Sequence, residues 1–207
     1  MKYGPKRFPK IIIDAAIYLT GKVKINFSDP DGRLNSKIDE KTMIELLEKK
    51  YGKKNVIEAP PRHWFDVKLY GHPIQIKSSD FSNNLADNIS SKNGVLYALT
   101  TLSELKIDGV NKWKDFEKSL IGTRGVDNDR DLHIITLDKA TGRVILTSLK
   151  SISVVVPNGN NLPFQINWKK NLKPTPRTHA ESYDFLIDAY KQSVEKKISA
   201  HPFINHL

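Results

Sequence analysis

The sequence predicts an α/β fold, a central mixed β-sheet flanked by helices, and three observations support it. Two pairs of short segments alternate apolar and polar residues across compact turns, as β-hairpins do. Apolar residues at helical spacing precede, separate and follow those pairs. No repeat, low-complexity tract or linker divides the chain, so residues 1–207 are expected to form a single domain.

The elements follow in order. After a basic, proline-punctuated start over residues 2–10, Ile11 to Leu19 predict a first helix ending near Gly21. Ser28 to Gly32 read as a loop. Ile38, Met43, Ile44, Leu46 and Leu47 predict a second helix over 37–51, with Asp39 and Glu40 in its first turn and Lys49 and Lys50 in its last, matching the helix dipole. His63–Leu69 and Ile74–Ser78 form a hairpin around a loop at 70–73. A polar stretch runs from 79 to 93, Val95–Leu99 suits a buried strand or helix, and 111–120 is expected to be helical. Leu132–Leu137 and Val144–Leu149 make a second hairpin whose turn carries Asp138 and Gly142. The loop 157–163 leads to an alternating segment, Phe164–Trp168, and a terminal helix covers about 180–196.

Composition narrows the partner. With 33 Lys and Arg against 23 Asp and Glu, a formal charge of +10, the chain favours a polyanion, nucleic acid first. Cysteine is absent, which excludes a disulfide framework, a thiolate nucleophile and a Cys-based zinc site, and fits an intracellular protein. The run from Ile11 to Leu19 is too short to span a bilayer and is interrupted by Asp14. No HExxH-type histidine pair is present, and Trp64, Trp113 and Trp168 read as core or interface residues.

The first hairpin carries the chemistry. A four-residue loop would set Asp66 against Lys77 and Lys68 against Gln75, so that Val67, Leu69, Ile74 and Ile76 fill one face while Asp66, Lys68, Gln75 and Lys77 share the other. A carboxylate, an amide oxygen and an ammonium group then stand together. Asp66 and Gln75 can give Mg²⁺ two oxygen ligands, and Lys77 can orient an attacking water and offset negative charge on a phosphate. The same residues would also serve as a cross-strand ion pair on a wet sheet face.

Asp66 followed nine residues later by Gln75-x-Lys77 resembles the PD-(D/E)XK nuclease signature, in which the Asp and the acidic residue bind metal and the Lys assists hydrolysis. Two positions depart from it: Phe65 stands where the family has Pro, and Gln75 where it has Asp or Glu. The second departure removes a charge, for which Glu48, or alternatively Glu45 or Glu58, could compensate. Gln75-Ile76-Lys77-Ser78-Ser79, the following Ala86-Asp87-Asn88 and the apolar run after them are similar to type II restriction endonucleases, over about residues 37–170.

That resemblance implies a sequence-specific, Mg²⁺-dependent endonuclease of double-stranded DNA that leaves 5′-phosphates, with Mn²⁺ able to substitute. It also implies a homodimer, a cognate DNA methyltransferase, a prokaryotic cytoplasmic setting and a catalytic core over 37–150. Short polar side chains after the hairpin, Ser78, Ser79, Asn83, Asn84, Asn88 and Lys92, can meet phosphates or base edges. Asn160, Asn161, Gln165 and Asn167 have the paired donors and acceptors that read adenine, and make 157–178 the candidate recognition segment. Lys169, Lys170 and Arg177 suit phosphate contacts, and residues 1–10 a basic arm or a disordered end. A DNA-binding module without catalysis, and a repair, junction or transposition nuclease, stand as alternatives.

Overall fold

The structure is a computed structural model that describes residues 7–25, 32–82, 86–89, 92–123, 125–160 and 162–201. In chain order the elements are α1 (Lys10–Leu19), α2 (Gly32–Tyr51), β1 (Val56–Glu58), β2 (Val67–Leu69), β3 (His72–Ser79), β4 (Asp87–Asn88), α3 (Lys92–Leu99), α4 (Glu104–Asp108), α5 (Trp113–Gly122), β5 (His133–Asp138), β6 (Val144–Ser148), β7 (Gln165–Ile166), a 3₁₀ turn (Trp168–Lys170) and α6 (His179–Ser199). They gather into two compact units, one of residues 7–82 and 132–148, the other of residues 86–131 and 149–201.

The first unit is built on a mixed five-stranded sheet in the order β1-β2-β3-β5-β6. Every neighbouring pair is antiparallel except β3 and β5, which run parallel. All six residues of β5 are buried, as its place between β3 and β6 requires. Ile12, Ala15 and Leu19 of α1 recur one face apart, as do Met43 and Leu47 of α2, and these stripes close over Val67, Leu69, Ile74, Ile76, Ile135 and Leu137. Burying each such aliphatic side chain contributes about 1.5–3 kcal/mol.

Two expectations shift here. Helix α2 begins at Gly32 instead of residue 37, so Asp39 and Glu40 lie about two turns inside it and do not meet the positive end of its dipole. They extend the stripe of Met43, Ile44 and Leu47 by one turn and point polar groups at the sheet, Asp39 being fully buried. The first hairpin is tighter than a four-residue loop: Leu69 pairs with His72 and Val67 with Ile74. Its two linking residues, Tyr70 and Gly71, have φ of 49° and 81°, the type I′ pattern. Tyr70 is an unusual residue for that position. Its amide donates to the carbonyl of Asn55 at 2.8 Å, its hydroxyl accepts from Asn55 Nδ2 at 3.2 Å, and its ring meets Tyr51 edge to face. The register moves by two residues, an even number, so each side chain keeps the face the alternation assigned to it.

The second unit is largely helical, with a two-residue antiparallel ladder between β4 and β7. A capping box starts α6, Thr178 and Glu181 each accepting from the other's amide. Trp113 and Phe116 of α5 pack on Tyr190 of α6, and Tyr183 donates to the carbonyl of Leu120 at 2.9 Å. The expected strand over 164–168 survives only at Gln165–Ile166, because Asn167 caps the following 3₁₀ turn through its side chain. No described helix is long and apolar enough to cross a membrane.

Candidate active site

Asp66 sits at the entry to β2, and its backbone is held from both sides. Its carbonyl accepts from Ala59 N at 2.9 Å and its amide donates to Ile74 O at 2.9 Å. The turn before it is fixed by rings: Trp64 and Phe65 are buried and meet edge to face at 4.7 Å, and His63 packs on Phe65 at 4.3 Å. Phe65 thus supplies by packing the rigidity that a proline would supply covalently.

The shifted register brings Asp66 to Gln75, not to Lys77. Gln75 Nε2 donates to Asp66 Oδ2 at 2.5 Å, and Ile76 N donates to the same oxygen at 2.7 Å. Gln75 is almost fully buried, and its Oε1 has no hydrogen-bond partner among the described residues. An amide that gives its NH₂ to a carboxylate must turn its oxygen elsewhere, and here that oxygen is buried. Lys77, two residues on and so on the same face of β3, is half-buried and close enough to act on Asp66 electrostatically.

The second acid at this place is Glu40. Burial pushes its carboxyl up to about 7, with the negative charge of Asp66 adding to the rise, while Lys77, the amide of Ser78 and Lys139 pull the other way. Asp66 is also raised above the ordinary carboxylate range, by burial first, against the pull of Lys77 and of the Ile76 and Gln75 donors. Burial, more than mutual repulsion, raises both, and a cation entering the site would favour their ionised forms.

Glu40 was not among the acids the sequence singled out. Glu45 is exposed, Glu48 lies about 12 Å further along the helix axis and faces Lys53 at 3.9 Å, and Glu58 lines the same cleft as Glu40 and Asp66. The signal was available: Glu40 is the helical continuation of Ile44 and Leu47, whereas Glu45 falls off that stripe. Its neighbour Asp39 docks the helix, accepting from Ser78 Oγ at 2.8 Å and standing 3.5 Å from Lys139 Nζ, both charges buried.

The cleft that Glu40, Glu58 and Asp66 line measures about 320 Å³. Among the described residues no three His, Asp or Glu side chains form a ready metal cage. Asp66 and Glu40 line the cleft, and Gln75, bonded to Asp66 through its NH₂, has a third oxygen without a partner among the described residues; such oxygen groups suit a hard divalent cation that keeps some of its waters.

The residues proposed to touch DNA fall into several situations. Ser78 is buried against Asp39, and the carbonyl of Ser79 accepts from Lys139 N, so the first is part of the helix docking. Asn167 is buried as a cap and Arg177 donates to the carbonyls of Ile152 and Ser153 with its guanidinium over Phe185, which corrects the expectation that either is displayed. Asn88, Gln165 and Asn158 form a chain of amides, Gln165 donating to Asn88 at 2.9 Å and accepting from Asn158 at 2.6 Å. Lys92 lies over the Trp113 ring, while Asn160, Lys169 and Lys170 are exposed. Asn83, Asn84, Asn161 and residues 1–6 lie outside the described residues.

Comparison with known proteins adds little. No family model matches the chain, and no curated protein matches it. A solved restriction endonuclease in complex with substrate DNA is similar over 62% of this chain at 19% identity, with a TM-score of 0.32. The matched part spans about half of that protein, 55% of its length. At so low a TM-score the likeness has no weight, and the reading of function rests on the site.

Proposed function

We propose that this chain is a metal-dependent nuclease that hydrolyses phosphodiester bonds in double-stranded DNA at the cluster of Asp66, Gln75, Lys77 and Glu40. One observation carries the reading: the half-buried carboxylate of Asp66 accepts from the buried amide of Gln75, whose oxygen has no hydrogen-bond partner among the described residues, and the strand that carries Gln75 also presents Lys77. Asp66, Gln75 Oε1 and Glu40 would hold Mg²⁺, with Mn²⁺ as substitute. Bound there, the ion supplies charge neutralisation at the phosphate and a water of lowered pKa.

The protein's own groups account for the rest. Ile76 N and Gln75 Nε2 fix Asp66 Oδ2, which orients the carboxylate before substrate arrives. Lys77 Nζ offsets charge on a non-bridging phosphate oxygen and holds the attacking water in line. Water's oxygen bonds to phosphorus as the bond to the 3′-oxygen breaks, leaving a 5′-phosphate and a 3′-hydroxyl. The net charge of +10 favours the polyanionic substrate. By its resemblance to type II restriction endonucleases the reading extends to cutting at a short specific sequence, by a homodimer, with a companion methyltransferase.

A second reading has its own support. The 2.5 Å contact from Gln75 to Asp66 occupies one oxygen of the acid that would hold metal, as in a DNA-binding module that no longer cuts. The discriminating experiment is incubation of a large, sequenced, unmethylated DNA with Mg²⁺ or Mn²⁺, followed by mapping of every product end, with EDTA as control. Discrete fragments with 5′-phosphates at one repeated sequence, lost in EDTA, support the restriction reading. Metal-dependent cuts at branched or unrelated positions indicate a repair or junction nuclease. Intact DNA that is nonetheless bound by folded protein favours the non-cutting module.

A further inference from the structure

The acids of the candidate active site would repel a phosphodiester, yet the rim of the same cleft is basic. Lys37 and Lys41 line it together with Glu40 and Ile44, and Arg62 closes it from the loop before Asp66. Positions 37, 40, 41 and 44 are one helical face, so α2 sets its two lysines on either side of Glu40, about 6 Å apart along the axis. All three cations are exposed, and none has an ion pair or hydrogen bond among the described residues.

Arg62 adds a separate observation. Its φ is 66°, in the left-handed region that side chains other than those of Gly, Asn and Asp seldom occupy. A glycine would hold that turn without strain. A long cation there costs stability, and strain of this kind collects where a side chain has work to do at a binding site. Neighbouring Pro60 and Pro61 stiffen the loop, so the guanidinium projects from a rigid support.

We propose that Lys37, Lys41 and Arg62 form a phosphate clamp that grips the DNA backbone at the phosphate next to the one placed over Asp66 and Lys77. This rests on the reading of the site as a nuclease. The clamp supplies binding and register and takes no part in bond breaking. It places the backbone contacts on α2 and the 60–62 loop of the same unit that carries the acids, not on the 169–177 segment that the sequence suggested.

The test is DNA binding by the full chain in Ca²⁺, across a range of salt, for the natural protein, Lys37→Ala with Lys41→Ala, Arg62→Gly, and a control pair. The control, Lys114→Ala with Lys118→Ala, removes the same charge at the same helical spacing from exposed positions on α5. The clamp predicts that the 37/41 pair flattens the slope of log affinity against log salt by roughly one to two, with affinity falling at least tenfold, while the control pair does neither. It also predicts that Arg62→Gly raises the melting temperature while weakening DNA binding, which a purely structural arginine would not do. Equal effects of the two lysine pairs, or unchanged binding in Arg62→Gly, would overturn the clamp while natural protein that cuts DNA leaves the nuclease reading standing. Natural protein that neither binds nor cuts DNA would overturn both.

Discussion

Gln75 gives its amide NH₂ to Asp66 Oδ2 at 2.5 Å and is left with a buried carbonyl oxygen that nothing in the described protein satisfies. A cation or a hydrogen-bond donor approaching that oxygen would complete the pair. Gln75→Glu therefore has opposite effects without and with metal. Without metal it replaces a donor by a second carboxylate beside Asp66 and should cost about 1–3 kcal/mol of stability. With Mg²⁺ the added charge should recover that loss and tighten binding of the ion. Thermal unfolding in EDTA and in millimolar Mg²⁺ checks both signs, and a variant whose melting ignores the metal would count against the site.

Glu40 predicts a pH dependence. Its carboxyl is raised to about 7 in the folded protein from an ordinary value of 4.5, so between those values the folded state holds a proton that the unfolded state has released. Stability must then fall as pH rises from about 4.5 to 7, and the loss is complete above the folded value. Glu40→Gln removes this component. Denaturant unfolding of metal-free protein at pH 5 and pH 8 should show the natural chain losing on the order of 2 kcal/mol more than the variant.

The buried pair of Asp39 and Lys139, 3.5 Å apart, fixes α2 to the sheet together with Ser78. Asp39→Ala should destabilise by roughly 3–5 kcal/mol, because a buried ammonium loses its carboxylate. Replacing both charges, Asp39→Leu with Lys139→Met, should be more stable than Asp39→Ala alone. Equilibrium unfolding of the three proteins gives the order.

In the second unit, Gly159 approaches α6 so closely that an added Cβ would lie 2.6 Å from Lys197 N and 2.8 Å from its Cα. Both obstacles are backbone and cannot swing aside. Gly159→Ala should cost about 1–3 kcal/mol, visible as a melting temperature lower by several degrees.

The sheet was legible where alternation reports burial: Val67, Leu69, Ile74 and Ile76 face the core as their parity demands. The hairpin register was not, because Tyr-Gly is a weak turn signal next to Asn-Gly, and Tyr70 adopts it through contacts to Asn55 and Tyr51 that are distant or generic in sequence. Parity survived the slip, so Asp66, Gln75 and Lys77 keep one face of the hairpin while their cross-strand partners differ from those expected. Glu40 escaped notice because a charged residue near an expected helix start has a ready explanation in the dipole. The earlier start at Gly32 removes that explanation, and the spacing to Ile44 and Leu47 then accounts for its place on the buried stripe. The roles of Asn167 and Arg177 depend on backbone carbonyls and amides that no side-chain pattern displays.

The measurement that bears most directly on the nuclease reading is the single-turnover cleavage rate of duplex DNA in Mg²⁺ for the natural chain, Asp66→Ala and Lys77→Ala, each confirmed as folded. Metal-dependent cleavage by the natural chain that drops at least a hundredfold in each variant is the expected result, with Lys77→Ala still binding the metal. Cleavage by either variant at the natural rate, or none by the natural chain in Mg²⁺ or Mn²⁺, would contradict it.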